Sequence, residues 1–335
     1  MSNKEIYREL CLHTPIPVFG QYWWMEATAL GKDWDVFIVR HPDTGQPVCM
    51  LPFHILRRAG MRCVLMPAHT QLSWVWIADK VDKKAVYCLL LKQITDYCRK
   101  RHLLIFSIQG YFDPMLREAF LANGFTLKER VSYRIDTTQN MDAIEQHFST
   151  NKKRQIKKAV QGGITMCDLS ISGFYAAHRQ FLSQRGKTID YSEGFFTALA
   201  EQTLSRKQGR IIAARSPGGC ILAAIFLVWD TDVCYYLLPT YNASYAHSGA
   251  MAWLTLQSIQ IAKAKGLIFD FEGSMNPGIA NSYRQFGSTP STYYGVEKHC
   301  KLWSAVSAIH TLCTGIKSRK NPVSPCKSRF LALPL

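Results

Sequence analysis

Two carboxylates stand at the end of one apolar run and are missing from an earlier copy of the same run. Leu267-Ile268-Phe269-Asp270-Phe271-Glu272-Gly273 repeats Leu104-Ile105-Phe106-Ser107-Ile108-Gln109-Gly110 at an offset of 163 positions. The offset also carries Gly124, which closes a helical stretch, onto Gly287. Each copy then enters a β-rich segment, 131–135 in the first and 293–296 in the second. A duplicated apolar frame implies a duplicated fold. A change from Ser107 and Gln109 to Asp270 and Glu272 implies that the second copy does the chemistry and the first supports it. Carboxylates two apart share one face of a strand, and burying such charge without a partner is costly. Asp270 therefore suits an ion pair with Arg284 or a lysine, and Glu272 suits proton transfer.

Three other groups could handle an anionic substrate. His247-Ser248-Gly249-Ala250-Met251 opens a helical stretch, and a helix N-terminus offers free N–H groups and partial positive charge to a phosphate. Gly249 would allow a close approach, with His247 and Ser248 as further donors. The segment from Lys152 to Gln161 reads as a basic helix. Lys153, Arg154, Lys157 and Lys158 lie on its outer surface with no acid among them, and Ile156, Ala159 and Val160 form its inner stripe. Such a face can grip phosphates. Arg185 and Lys187, at a helix end before Tyr191, form a second cationic group. Tyr235 and Tyr236 alternate on a strand, so at most one of them reaches a common site. Trp23, Trp24, Trp74 and Trp76 read as strand aromatics that form core or stack on an acceptor.

The bulk numbers point the same way. The chain has 335 residues with 40 Lys and Arg against 24 Asp and Glu, a net charge of +16. That excess favours a polyanionic partner: nucleic acid, a phosphorylated substrate or an anionic lipid surface. Hydrophobic residues make up 47%, enough for about two domains of roughly 150 residues. The first residues lack the apolar stretch of a signal peptide. The longest apolar run, 221–229, is far short of the ~20 residues of a membrane span. Eleven cysteines without a CxxC read as buried thiols in a reducing cytoplasm. Histidine spacing shows no metal motif, so no metal is expected.

Elements follow from periodicity. Strands are expected at 35–40, 48–55, 63–77, 103–108 and 126–135, with a helix at 82–100 and another after the N-cap Asp113. The second half reads as helices at 142–148 and 151–161, a strand at 164–169 and helices at 173–185 and 192–207. Strands at 210–214, 221–229 and 233–238 precede a helix at 249–265, a strand at 267–271, a helix at 278–286 and a strand at 293–296. Meander, helix, strand, helix, strand is the order in both halves, an α+β pattern. Segments 1–140 and 141–298 are the two domains expected. Residues 299–335 form a basic tail whose apolar stripe, Leu302 to Ile316, either packs on its own domain or lies on an anionic membrane.

Three stretches resemble the FemAB family, whose members carry tandem GNAT-like domains. They are the basic helix and glycine turn from Lys152 to Ile164, the helix from Ser248 to Gly266, and Phe269-Asp270-Phe271-Glu272-Gly273-Ser274 with Gly278-Ile279 and Phe286-Gly287. The resemblance spans about residues 30 to 298. It implies two tandem GNAT-like domains, each a mixed, largely antiparallel sheet flanked by helices. It also implies transfer of an activated acyl group from acyl-CoA or aminoacyl-tRNA to an amine of a cell-envelope or other small-molecule acceptor. GNAT pyrophosphate loops are richer in glycine than this one, where Gly249 stands alone, so the donor stays open. In that frame Glu272, helped by Asp270, is the base. A backbone N–H of the 233–238 strand, or the hydroxyl of Tyr235 or Tyr236, meets the oxyanion. The alternative is a non-catalytic basic module that binds RNA or an anionic membrane surface.

Overall fold

The first three strands, whose central residues are buried on both faces, build a meander. In the computed structural model, which describes residues 1–29, 33–58 and 60–300, these are β1 (Trp34–Arg40), β2 (Pro47–Arg58) and β3 (Met61–Leu65). They are paired antiparallel in sequence order. Helix α3 (Lys83–Lys100) crosses over to β5 (Ile105–Gly110), which lies parallel to β3. Asp82 caps α3, and Val86, Leu90, Leu91 and Ile94 form its buried stripe. Helix α4 (Pro114–Ala122), capped by Asp113, leads to β6 (Thr126–Ile135).

The second half repeats this plan. After α5 (Met141–Gln146) and α6 (Thr150–Gln161) comes β7 (Thr165–Asp168), then α7 (Ile171–Ser183) and α8 (Glu193–Ser205). Strands β8 (Gly209–Arg215), β9 (Ile221–Trp229) and β10 (Val233–Tyr241) form the meander. Helix α9 (Ala250–Ala264) crosses to β11 (Ile268–Asp270), which is parallel to β10. Helix α10 (Pro277–Arg284) and β12 (Thr289–His299) close the copy.

The two copies do not close on themselves. They form one sheet in the order β1-β2-β3-β5-β12-β6-β11-β10-β9-β8-β7. The closing strands are exchanged: β12 of the second copy lies against β5 of the first, and β6 of the first lies against β11 of the second. The register obeys the sequence offset. Phe106 faces Lys298 as Phe269 faces Ile135, and Thr126 faces Glu297 as Thr289 faces Arg134. Adding 163 to one partner and subtracting it from the other reproduces each pair. This twofold register is the structural mark of the duplication.

Several expectations are corrected. The strand expected at 63–77 is β3 and a short β4 (Trp76–Ile77), which pairs with β2, separated by a loop. Trp23 and Trp24 lie on a helix, α2 (Tyr22–Ala29), not a strand. A further helix, α1 (Asn3–His13), precedes it. Helix α2 packs on the first two strands through Met25 and on α8 through Trp23 and Trp24, so it straps the copies together across one face. Cys88 and Cys220 are exposed. The basic tail expected from 299 onward lies, from residue 301, outside the described residues. Among the described residues, no helix is long and apolar enough to cross a membrane.

Packing between the copies buries neutral imidazoles. The His69 ring lies edge-on to Tyr191 at 4.4 Å, and His178 stacks on Phe174 at 5.7 Å. His54 is buried in the first copy. His54 Nδ1 and Nε2, His69 Nε2 and His178 Nδ1 have no hydrogen-bond partner, and burial pushes all three pKa values down to about 4. The unfolded chain takes up these protons near pH 6.5 and the folded chain only near 4, so folding stability falls as pH drops through that window. Thermal midpoints measured from pH 7.5 to 4 should decline below about 6.5, and the triple variant H54F/H69F/H178F should lose most of that slope.

Candidate functional site

The site begins where two parallel strands part. β10 pairs with β11 over Val233–Tyr235 and Ile268–Asp270 only. Between Tyr236 and Leu238 the register with β9 slips by one residue, a bulge that bends β10 away. β11 ends at Asp270, because Glu272 (φ 61°) and Gly273 (φ 70°) both turn left-handed. A Cβ at Gly273 would lie 2.2 Å from the Val131 carbonyl, so only glycine lets the turn pass β6. The notch left open is walled by Tyr236, Phe271, Tyr283 and Thr255, with Lys152 and Met251 at its mouth, and encloses about 80 Å3.

Asp270 and Glu272 therefore do not share a strand face, since Glu272 lies beyond the strand. Their environments are opposite. Asp270 is 2% exposed and its carboxylate is filled. It accepts from Ser132 Oγ, from Arg134 Nε at 2.7 Å and from the Glu272 backbone N–H at 2.7 Å. The partner is Arg134 on the exchanged strand, not Arg284, which donates to the Tyr133 hydroxyl. Glu272 has a sealed Oε1 with no partner. Burial first, and the Asp270 charge second, hold its carboxyl well above the usual carboxylate range. Its charge in turn raises the pKa of Tyr283, a wall of the notch, behind the larger effect of that tyrosine's own burial.

The Gly249 expectation is corrected in part. Gly249 (φ 81°) precedes α9, and a Cβ there would lie 2.0 Å from the Gln155 carbonyl. Its lack of a side chain thus serves the packing of α9 on α6. The helix N-terminus is nonetheless open. Ser248 Oγ takes the Ala250 N–H at 3.2 Å, while the Met251 and Ala252 amides have no acceptor among the described residues. Both residues line the notch. His247 is exposed on the preceding short 3-10 turn. Tyr236 is 4% exposed and its hydroxyl bonds Thr255 Oγ1 at 2.9 Å, whereas Tyr235 faces the other side of the sheet and packs on Phe19.

Lys153, Arg154, Lys157 and Lys158 are exposed along α6, without an acidic partner among the described residues. Val160 is 60% exposed and leaves the inner stripe to Ile156 and Ala159. The cation that enters the notch is Lys152. Its Nζ donates to Ser282 Oγ at 3.1 Å and sits 4.6 Å from the Phe286 ring centroid, and burial lowers its pKa. Its spacing from Ile156 at i, i+4 could have shown it on the inner face. Arg185 is folded onto the Tyr241 ring at 4.5 Å and the Phe181 carbonyl, and Lys187 is exposed.

The first copy differs at the matching place: its loop after β3 returns along β5, with Ser73 N–H donating to the Gln109 carbonyl at 2.6 Å. Asp82 caps α3 and accepts from the Lys84 and Ala85 amides, so a carboxylate occupies the N-terminus equivalent to that of α9. Gln71 in the same loop donates to the Glu272 carbonyl and to the Tyr293 hydroxyl at 2.7 Å, and Gln109, the counterpart of Glu272, donates to the Gln71 carbonyl at 2.8 Å.

Comparisons with known proteins agree with this geometry. Residues 146–282 match the family model described as an acetyltransferase (GNAT) domain. The chain is similar in fold to FemX, with a TM-score of 0.65 at 11% identity over 88% of this chain and 96% of that one. It is similar to a tandem GNAT protein from the clavulanic acid biosynthesis pathway, at 0.55 and 10% over 88% and 93%. It is also similar to L-PGS from Bacillus licheniformis, at 0.50 and 13% over 81% and 90%. No curated protein matches the chain. Residues 146–282 thus match a GNAT acetyltransferase domain, and the chain shares its overall fold with FemX and a tandem GNAT protein.

Two variants separate packing from chemistry here. Gly249→Ala should lower folding stability by at least about 1–2 kcal/mol from the left-handed backbone alone, with the Gln155 clash adding to it, and urea unfolding without any ligand reads this directly. Asp270→Asn leaves Arg134 half-buried without its charge partner and should cost about 3 kcal/mol. A stability equal to the parent would show that the pair does not hold β11 to β6.

Proposed function

We propose that the chain is a FemAB-type N-acyltransferase whose donor lies in the notch of the second copy. What carries the reading is the contrast between the copies. One has an open notch beneath a helix with free amides; in the other the loop after β3 returns along β5 and the helix is capped by its own aspartate. A donor phosphate would meet the Met251 and Ala252 amides, and Lys152 would add charge from α6. Lys153, Arg154, Lys157 and Lys158 extend the cationic surface, which suits either CoA or the phosphates of an aminoacyl-tRNA. His247, Arg185 and Lys187 are left at most peripheral to such a cradle. The acyl carbonyl would reach past Tyr236 toward Glu272, with a backbone N–H at the β10 bulge as the oxyanion donor.

In the transfer step the amine nitrogen of the acceptor attacks the acyl carbon, and the C–N bond forms as the C–S bond of a thioester, or the C–O bond of an aminoacyl ester, breaks. Glu272 takes the proton lost by the amine, and the departing thiolate or ribose oxygen is protonated in turn. A raised carboxyl pKa makes Glu272 a stronger base nearer neutral pH. Asp270 acts on it by holding the Glu272 N–H and by its charge, which adds to burial in raising the carboxyl pKa. The acceptor would enter from the groove where the copies meet. We place the chain in the cytoplasm, where both donors occur, with contact between the basic tail and an anionic membrane as an addition. The acid-free face of α6 also fits the alternative of a non-catalytic module docked on RNA or lipid.

Glu272→Gln should keep the fold and slow transfer about 10²- to 10⁴-fold. For the parent, kcat/KM should rise with pH through a carboxyl pKa above its ordinary value, and that limb should vanish in the variant. Release of free thiol from acyl-CoA, or deacylation of aminoacyl-tRNA, in the presence of candidate amines provides the measurement. An unchanged rate would remove Glu272 from the mechanism. Salt-steep polyanion binding with no turnover of either donor would favour the docking module.

A further inference from the structure

A second cavity, of about 290 Å3, opens where the copies meet on the face opposite α9. Trp74 and Tyr111 come from the first copy, Asp232 and Tyr235 from the second, Arg134 from exchanged β6, and Phe19 from the segment before α2. Tyr235 is 2% exposed and lines the cavity. Arg134 spends only its Nε on Asp270 and stacks on the Tyr111 ring at 4.5 Å. The guanidinium also interacts with the Tyr111 hydroxyl, and it lines the cavity beside that ring. Asp230 is satisfied by the Val18, Asp232 and Val233 amides and acts as a fixed negative charge. Asp232, exposed at the mouth, accepts only from the Thr231 hydroxyl.

The lining thus has a guanidinium and a phenol at one end, carboxylates at the other and aromatic faces between. A guanidinium edge fits a carboxylate in two-point contact. A carboxylate beside aromatic rings fits an ammonium. The volume suits an amino acid or a dipeptide and is small for a nucleotide-linked sugar. Position joins this cavity to the notch. Tyr235 and Asp270 form the last paired rung of β10 and β11, and the next residues, Tyr236 and Phe271, line the notch on the other face. A ligand held at Tyr235 is one residue, through the sheet, from the place proposed for the acyl carbon.

We propose that this cavity recognises the acyl acceptor, and that the acceptor is an amine bearing its own carboxylate, an amino acid or the end of a short peptide. The proposal rests on the acyltransferase reading above. Its test pairs turnover with binding. Free amino acids and dipeptides are compared with their carboxamides and with amines lacking the carboxylate, in donor turnover and in calorimetry without donor. Carboxylate-bearing amines should bind, and their carboxamides should lose about tenfold or more in kcat/KM. Trp74→Ala and Asp232→Asn, both at exposed positions, should raise KM for those amines about tenfold with a smaller change in kcat. Tyr235→Phe should weaken their calorimetric binding with the same ranking. Donor turnover that ignores the carboxylate and these variants would overturn the proposal and leave the acyltransferase reading intact. Carboxylate-selective binding, lost in Trp74→Ala, with no turnover of any acyl donor would overturn that reading and leave the cavity assigned.

Discussion

The carboxylate of Asp270 ties the architecture together. Through Arg134 and Ser132 it fastens β11 of the second copy to β6, which the first copy contributes. Through the Glu272 N–H it fixes the left-handed turn that ends β11. One buried group thus joins the copies and sets the direction in which the neighbouring carboxylate leaves the strand. A buried ion pair adds little net stability against an apolar pair, but half of one is costly. That asymmetry makes the exchanged strand and the turn depend on each other.

Exchange of β6 and β12 has a functional consequence. Every residue that lines the notch belongs to the second copy, but the turn beside it is held from the first. Here Ser132, Arg134 and Tyr133 reach the second copy's site from the first copy's chain. The loop after β3 sends Gln71 to the Glu272 carbonyl. The first copy thus contacts the turn that carries Glu272.

Much of this was legible in the chain. The offset of the repeat set the order of elements, and the register of the central strands follows it residue by residue. The cap Asp113 marked a helix start because its side chain has one obvious use. The exchange was not legible, since strand order within a sheet depends on contacts far apart in sequence and either pairing satisfies the same apolar pattern. Helix α2 was hidden because Trp23 and Trp24 have strand propensity that tertiary burial overrides. The separation of Asp270 from Glu272 was hidden too. Strand periodicity places both on one face, and only the left-handed turn, imposed by the closeness of Val131 to Gly273, parts them.

The same turn gives two carboxylates so close in sequence opposite surroundings. Asp270 is surrounded by donors. Glu272 has a sealed oxygen without a donor and the charge of Asp270 nearby, so its neutral form is favoured. Had both stayed on a straight strand they would have competed for Arg134. Turning Glu272 out of the ladder gives the anchor to one and leaves the other unpartnered beside the notch. A group whose anion is poorly solvated at rest takes a proton readily once it is ionised, which is the property a base beside a reacting amine requires.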